Sequence, residues 1–225
     1  ETLAPEKRRP LHLGDLWSGT RELFTHRIVV VSILLQTLTL AALFGTLSSL
    51  QGIFEQQFDR ADSFPLWFAL IAITSMGGSL LNTRFVMTLG MRRIVRRTYV
   101  GMLALSLLAL ATLGSGLLQG NAGLAMQIFW CIGLFSMMGL TMGNLNALAM
   151  EPVGHIAGLA ASVISSVATV GSVVLAIPVG LAFDGTSTPL LAGVAVLVGL
   201  ALLLARLSLG EPRGNTAPVA PSRPH

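Results

Sequence analysis

The chain has 225 residues, 53% hydrophobic and only 11% charged, with a formal net charge of +4. Soluble globular domains carry roughly 25% charged residues, so the composition excludes an ordinary soluble domain and describes a lipid-solvated one. The basic excess does not describe a nucleic-acid partner, because the basic residues sit in short segments between apolar stretches and line no soluble face.

Residues 1–27 are polar and charged, with Pro5 and Pro10 flanking Lys7, Arg8 and Arg9, and read as a linker that ends in a short helix near 16–24. No secretory signal is visible there. The start at Glu1, not Met, suggests a fragment or a processed product. Five stretches then contain no Asp, Glu, Lys or Arg: 28–54, 63–83, 98–150, 152–183 and 185–205. A bilayer core about 30 Å thick needs about 20 apolar residues of helix. Four of the stretches therefore hold one span each, and 98–150 holds two, divided at Gln119-Gly120-Asn121. The expected spans are 28–50, 64–81, 99–118, 124–148, 156–183 and 189–205, giving an all-α, membrane-embedded six-helix bundle over 28–207. The remainder, 208–225, is rich in Pro, Gly, Ser and Ala and reads as a disordered tail. A single cysteine, Cys131, excludes an internal disulfide.

With the spans so placed, thirteen of the fourteen basic residues fall on one side, and only Arg60 lies opposite. The bias of Lys and Arg toward cytoplasmic loops puts both termini inside the cell. A faint internal repeat accompanies this topology. The second span ends Gly78-Ser-Leu-Leu-Asn82 and the fifth ends Gly180-Leu-Ala-Phe-Asp184, a Gly four residues before a short polar side chain at the middle of each triplet. Two three-helix units of inverted topology produce such a pattern.

Four stretches carry a family resemblance: Glu1-Thr2-Leu3 with Pro5-Glu6 and Arg8-Arg9-Pro10-Leu11; Leu81-Asn82-Thr83-Arg84-Phe85-Val86 with Leu89-Gly90-Met91-Arg92-Arg93; Asn144 through Pro152 with Gly154-His155-Ile156-Ala157-Gly158 and Ala160-Ala161-Ser162; and Ala182-Phe183-Asp184-Gly185-Thr186. They resemble the C-terminal half of the bicyclomycin and chloramphenicol resistance (Bcr/CflA) drug:proton antiporters of the major facilitator superfamily. The resemblance implies a bacterial inner-membrane protein that exports drug-like or other small organic molecules against proton entry. Alternating access then occurs between this bundle and an N-terminal six-helix bundle of the same transporter. It implies no enzyme activity, no cofactor and no metal. Asn82 stands where the superfamily's loop motif often has Asp.

Proton coupling needs a titratable group at membrane depth, and none of the expected spans supplies one. Coupling is therefore expected in the N-terminal half. Asn82, Arg84, Arg92, Arg93, Glu151 and His155 are candidates for a cytoplasmic loop or gate. The arginines either pair across domains or set orientation and touch anionic lipid. Glu151 and His155 either form a gate or satisfy free backbone groups at helix ends near Pro152, the second being the plainer reading.

Substrate-cavity candidates follow from helical spacing. Ser32, Gln36, Thr39, Leu43 and Thr46 recur at intervals of four, three, four and three, which places them on one face of the first span. Gln127, Cys131, Leu134, Met138 and Thr141 repeat the pattern in the fourth, less polar. The stripe should face the bundle or a wet cavity and not lipid. For the serine and threonines, interhelical hydrogen bonding is the equal alternative. The Gln36 amide has more hydrogen-bonding capacity than one packing contact uses, which points to substrate or water. Met137, Met138 and Met142 suit a soft cavity wall or ordinary packing. Two other functions share this hydropathy. A channel needs a polar filter, and none stands out. A rhomboid-type protease needs a Ser and a His inside spans, but His12, His26, His155 and His225 all fall in expected loops or tails.

Overall fold

The structure, a computed structural model, describes residues 13–209. The opening stretch of the resemblance and residues 210–225 of the expected disordered tail lie outside the described residues, while the tail's first two positions are ordered, Ser208 as the end of α7 and Leu209 as a buried residue against the bundle. Seven α-helices are present among those described: α1 (Leu13–Thr25), α2 (Arg27–Gln56), α3 (Phe64–Leu89), α4 (Met91–Gly114), α5 (Gly120–Met150), α6 (Ala157–Leu181) and α7 (Thr188–Ser208). A short 3₁₀ turn, Gly154–Ile156, precedes α6. The six helices from α2 to α7 are each long and apolar enough to cross a membrane. The chain is thus a multi-pass helical membrane protein.

One boundary expectation needs correction. The arginine-rich segment 82–97 is not a loop, because α3 continues through Arg84 to Leu89 and α4 begins at Met91. Arginine is a good helix former, so charge at the membrane edge does not end a helix. The chain turns instead at Gly90 alone, whose φ of 76° is open to glycine and strained for other residues. Both helices therefore extend past the apolar core, and Arg84, Arg92 and Arg93 stand on helical turns.

Packing places α2 and α5 at the centre. α2 packs most extensively on α6, α7 and α5, while α5 packs on α3, α4 and α2, and α4 lies against α7. α3 buries only Ile71, Ser75 and Gly78, one stripe turned to α5. α6 buries Ala160, Ile164, Ala168, Ser172, Ala176 and Val179, a small-residue stripe at spacings of four and three. The rest of both helices is apolar and exposed, including Leu66, Ile73, Met76 and Leu80 on α3 and Val170, Val174 and Leu181 on α6. In water so much exposed apolar surface would drive aggregation; within a bilayer it is compatible with contact to hydrocarbon or to another apolar helix surface.

Glycines permit close approach at two of the most extensive crossings, α3–α5 and α2–α6. A Cβ added to Gly78 would lie 2.6 Å from the Ser136 carbonyl oxygen, and one added to Gly139 would lie 2.9 Å from the Ser79 nitrogen, so α3 and α5 approach backbone to backbone. The α2–α6 crossing uses Gly45 against Val179 and Gly180 against Ser48. Contacts advance in the same direction along both members of each pair, from Gly78 and Ser136 to Asn82 and Asn144, and from Thr37 and Gly171 to Gly52 and Phe183. Each pair is therefore parallel. Pro178 does not stop α6, which runs on to Leu181.

Candidate functional site

The α2 stripe points into the bundle. Ser32, Gln36, Thr39 and Thr46 are all at most 1% exposed, and Leu43 is half-buried. Thr39 donates to the Leu35 carbonyl at 2.7 Å, so the Tyr99 hydroxyl of α4, also 2.7 Å away, is the donor to Thr39. This bond makes Thr39 a helix-to-helix contact. Thr46 donates within its own helix, to Ala42. The Ser32 hydroxyl and the Gln36 side-chain nitrogen have no partner.

The α5 stripe is buried in the same way. Gln127, Cys131, Leu134 and Thr141 have no exposure, and Met138 is half-buried. Gln127 reaches the Cys131 sulfur at 3.7 Å through its nitrogen, while its oxygen has no partner. Thr141 donates to the Met137 carbonyl. Ser49, whose hydroxyl is also unpaired, escaped the sequence reading. It lies three residues beyond Thr46, so the same spacing carried one step further would have found it. A groove of about 330 Å³ on the surface between α2 and α6 is lined instead by Phe44, Ser48, Ala176 and Gly180 among others.

At the arginine-rich end, Asn144 of α5 donates to Asn82 of α3 at 2.7 Å and to Leu140. Where an aspartate would carry charge, Asn82 closes the α3–α5 crossing with a neutral bond. Arg92 of α4 lies 3.7 Å from Glu151 at the end of α5. His155 lies 3.0 Å from Glu22 of α1. Glu151, at the C-cap of α5, and His155 thus lie against charged side chains of other elements. Both pairs are substantially exposed, and such pairs contribute roughly 0–1 kcal/mol. Their value is positional, since Arg92–Glu151 ties α4 to α5 and Glu22–His155 ties α1 to the α5–α6 turn. Glu22 was not legible as a partner because only the docking of α1 brings it there. Gly19 makes that docking close, since a Cβ on it would lie 2.6 Å from the Leu159 side chain.

At the other end, Gln57 accepts two bonds from Ser187, one from its backbone nitrogen and one from its hydroxyl, each 2.6 Å. Asp184 accepts from the Thr186 hydroxyl and backbone nitrogen. The Thr186 hydroxyl and then its backbone N–H hold the Asp184 carboxyl below the usual aspartate range. The described histidines, His26 and His155, lie at helix ends. Among the described residues no group of three His, Cys, Asp or Glu converges as metal ligands would.

Comparison with known protein families, curated proteins and solved structures returns no match, so the chain stands as a six-span helical membrane protein on its own geometry.

Proposed function

We propose that this bundle is the C-terminal half of a secondary active transporter, which exports small organic molecules by proton antiport in the manner of the Bcr/CflA family. The observation that carries the reading is the pattern of helix packing. Exchanging α2, α3 and α4 with α5, α6 and α7 leaves that pattern unchanged: α2 on α6 becomes α5 on α3, α2 on α7 becomes α5 on α4, and α4 on α7 maps to itself. Spans joined by short turns alternate in direction, so the exchange inverts topology. Inverted three-helix units within a half are a hallmark of such transporters. Gly78 and Gly180 correspond under the exchange, and each meets the leading helix of the other unit.

The apolar faces of α3 and α6 supply the surface on which an N-terminal bundle would pack, and the space between bundles would hold substrate. Protons would pass through that N-terminal half, because the only carboxylate on the spans, Glu55, sits on the last turn of α2. The described arginines Arg27, Arg84, Arg92, Arg93, Arg96, Arg97 and Arg206 fall at the span ends that alternation puts on one side, with only Arg60 opposite, and this bias favours an inner-membrane orientation with both termini cytoplasmic. The test is a drug-susceptibility panel on cells expressing this bundle joined to its N-terminal half, with and without a proton uncoupler. Resistance that the uncoupler abolishes supports the reading; an unchanged panel opposes it.

Gln36 is the residue where function and stability should separate. Its nitrogen is buried without a partner, and leaving such a group unpaired costs about 1–3 kcal/mol, a cost that a water or substrate entering the bundle would relieve. Gln36→Leu should therefore hold or raise the melting temperature while altering the drug profile. Normal transport by the leucine variant would make Gln36 a packing group.

A further inference from the structure

We infer that the groove between α2, α6 and α7 binds one anionic phospholipid, with an acyl chain along the groove and the phosphate at Arg27 and Arg206. The groove has a volume of about 350 Å³ and is lined by Leu34 and Leu38 of α2, Leu175 of α6, and Leu200, Leu203 and Leu207 of α7. Its one polar side chain, Thr37, is spent on the Ile33 carbonyl. α6 and α7 barely touch one another, so the cleft between them opens directly to the hydrocarbon. From Leu200 to Leu207 the helix rises about 10 Å, which gives the groove the long, narrow form of a chain and not of a compact solute.

Charge selects the headgroup. Arg27 begins α2, and its guanidinium reaches the Leu207 carbonyl at 3.5 Å. Since Leu207 itself lines the groove, Arg27 is held at the groove's arginine-rich mouth. Arg206, in the last turn of α7, is adjacent in sequence to Leu207, and both arginines are exposed. A phosphate there would meet the Arg27 guanidinium, with Arg206 on the same last turn of α7 as Leu207, and its chain would meet leucine apart from the already bonded Thr37. The inference rests on membrane embedding and not on the transport reading.

Native mass spectrometry of the full chain in detergent tests it, with palmitoyl-oleoyl phosphatidylglycerol titrated against phosphatidylcholine of the same chains. One phosphatidylglycerol should be retained in preference to phosphatidylcholine. Arg27→Gln and Arg206→Gln should each weaken that retention about fivefold. Leu203→Trp, at a position 55% exposed, should weaken binding of both lipids by filling the groove; Leu207→Trp serves if the first variant fails to fold. Equal retention of the two lipids, unchanged retention in the double glutamine variant, or displacement by soluble glycerol phosphate at matched concentration would overturn the site. So would unchanged binding by a folded tryptophan variant.

Discussion

Gly78→Ala should destabilise the bundle far more than Gly77→Ala, although the two glycines are neighbours in the chain. A Cβ on Gly78 would lie 2.6 Å from the Ser136 carbonyl oxygen and 2.8 Å from its Cα, both backbone atoms that no rotamer change can move. One added carbon must therefore push α3 off α5, and overpacking of this kind costs about 1–3 kcal/mol. Beyond the aromatic contacts of Phe64 and Phe68 at its start, α3 has few buried residues to hold it, Ile71, Ser75 and Gly78. The next turn depends on the same approach, because the Asn144–Asn82 bond closes only when the helices are this near. Gly77 meets nothing within 4 Å, and there alanine should gain up to about 1 kcal/mol of helix propensity. Thermal unfolding in detergent, followed by size exclusion, separates the two variants. Equal melting temperatures would mean that α3 is not seated on α5 in this way.

Trp130→Ala should cost about 3–5 kcal/mol, the range for emptying a large aromatic from a packed interior. Trp130 is fully buried in α5, and its indole nitrogen donates to the Ser106 hydroxyl of α4 at 3.0 Å. Gly133, one turn on, allows α4 to press close, since a Cβ there would lie 2.5 Å from the Leu105 side chain. Ser106→Ala keeps the volume but strands the indole N–H, which should cost about 1–3 kcal/mol. Unfolding of the two single variants and the double variant gives the coupling. A loss below about 1 kcal/mol for Trp130→Ala would contradict the α4–α5 packing described.

Much of the architecture was legible because a membrane imposes simple rules. Charge-free stretches of the right length mark spans whatever their order, and the six expected helices all exist. Burial of the polar residues of α2 follows the rule that polar groups in hydrocarbon turn inward, but α2 is buried on most of its sides, so their spacing singles out no one face. What those residues touch was not legible: Thr39 meets Tyr99, sixty residues away, through the packing of α4. The arginine-rich segment misled for a physical reason, because charge reports the membrane boundary while helix propensity decides where the helix stops. Gly78 and Asn82 carried a faint repeat signal, and the structure gives both a contact with α5. The pairing of His155 with Glu22 depends on a docked helix that no local pattern announces.

The central claim is that this bundle works as one half of a proton-coupled exporter, and drug-driven proton movement tests it most directly. Everted membrane vesicles carrying the bundle joined to its N-terminal half would be acidified inside by respiration, and a pH-sensitive dye would follow the gradient as candidate drugs are added. The account predicts that a substrate partly collapses the gradient in these vesicles and has no effect in vesicles carrying the six-helix bundle alone. A bundle that moves protons by itself, or a joined protein that moves none with any drug to which it confers resistance, would contradict it.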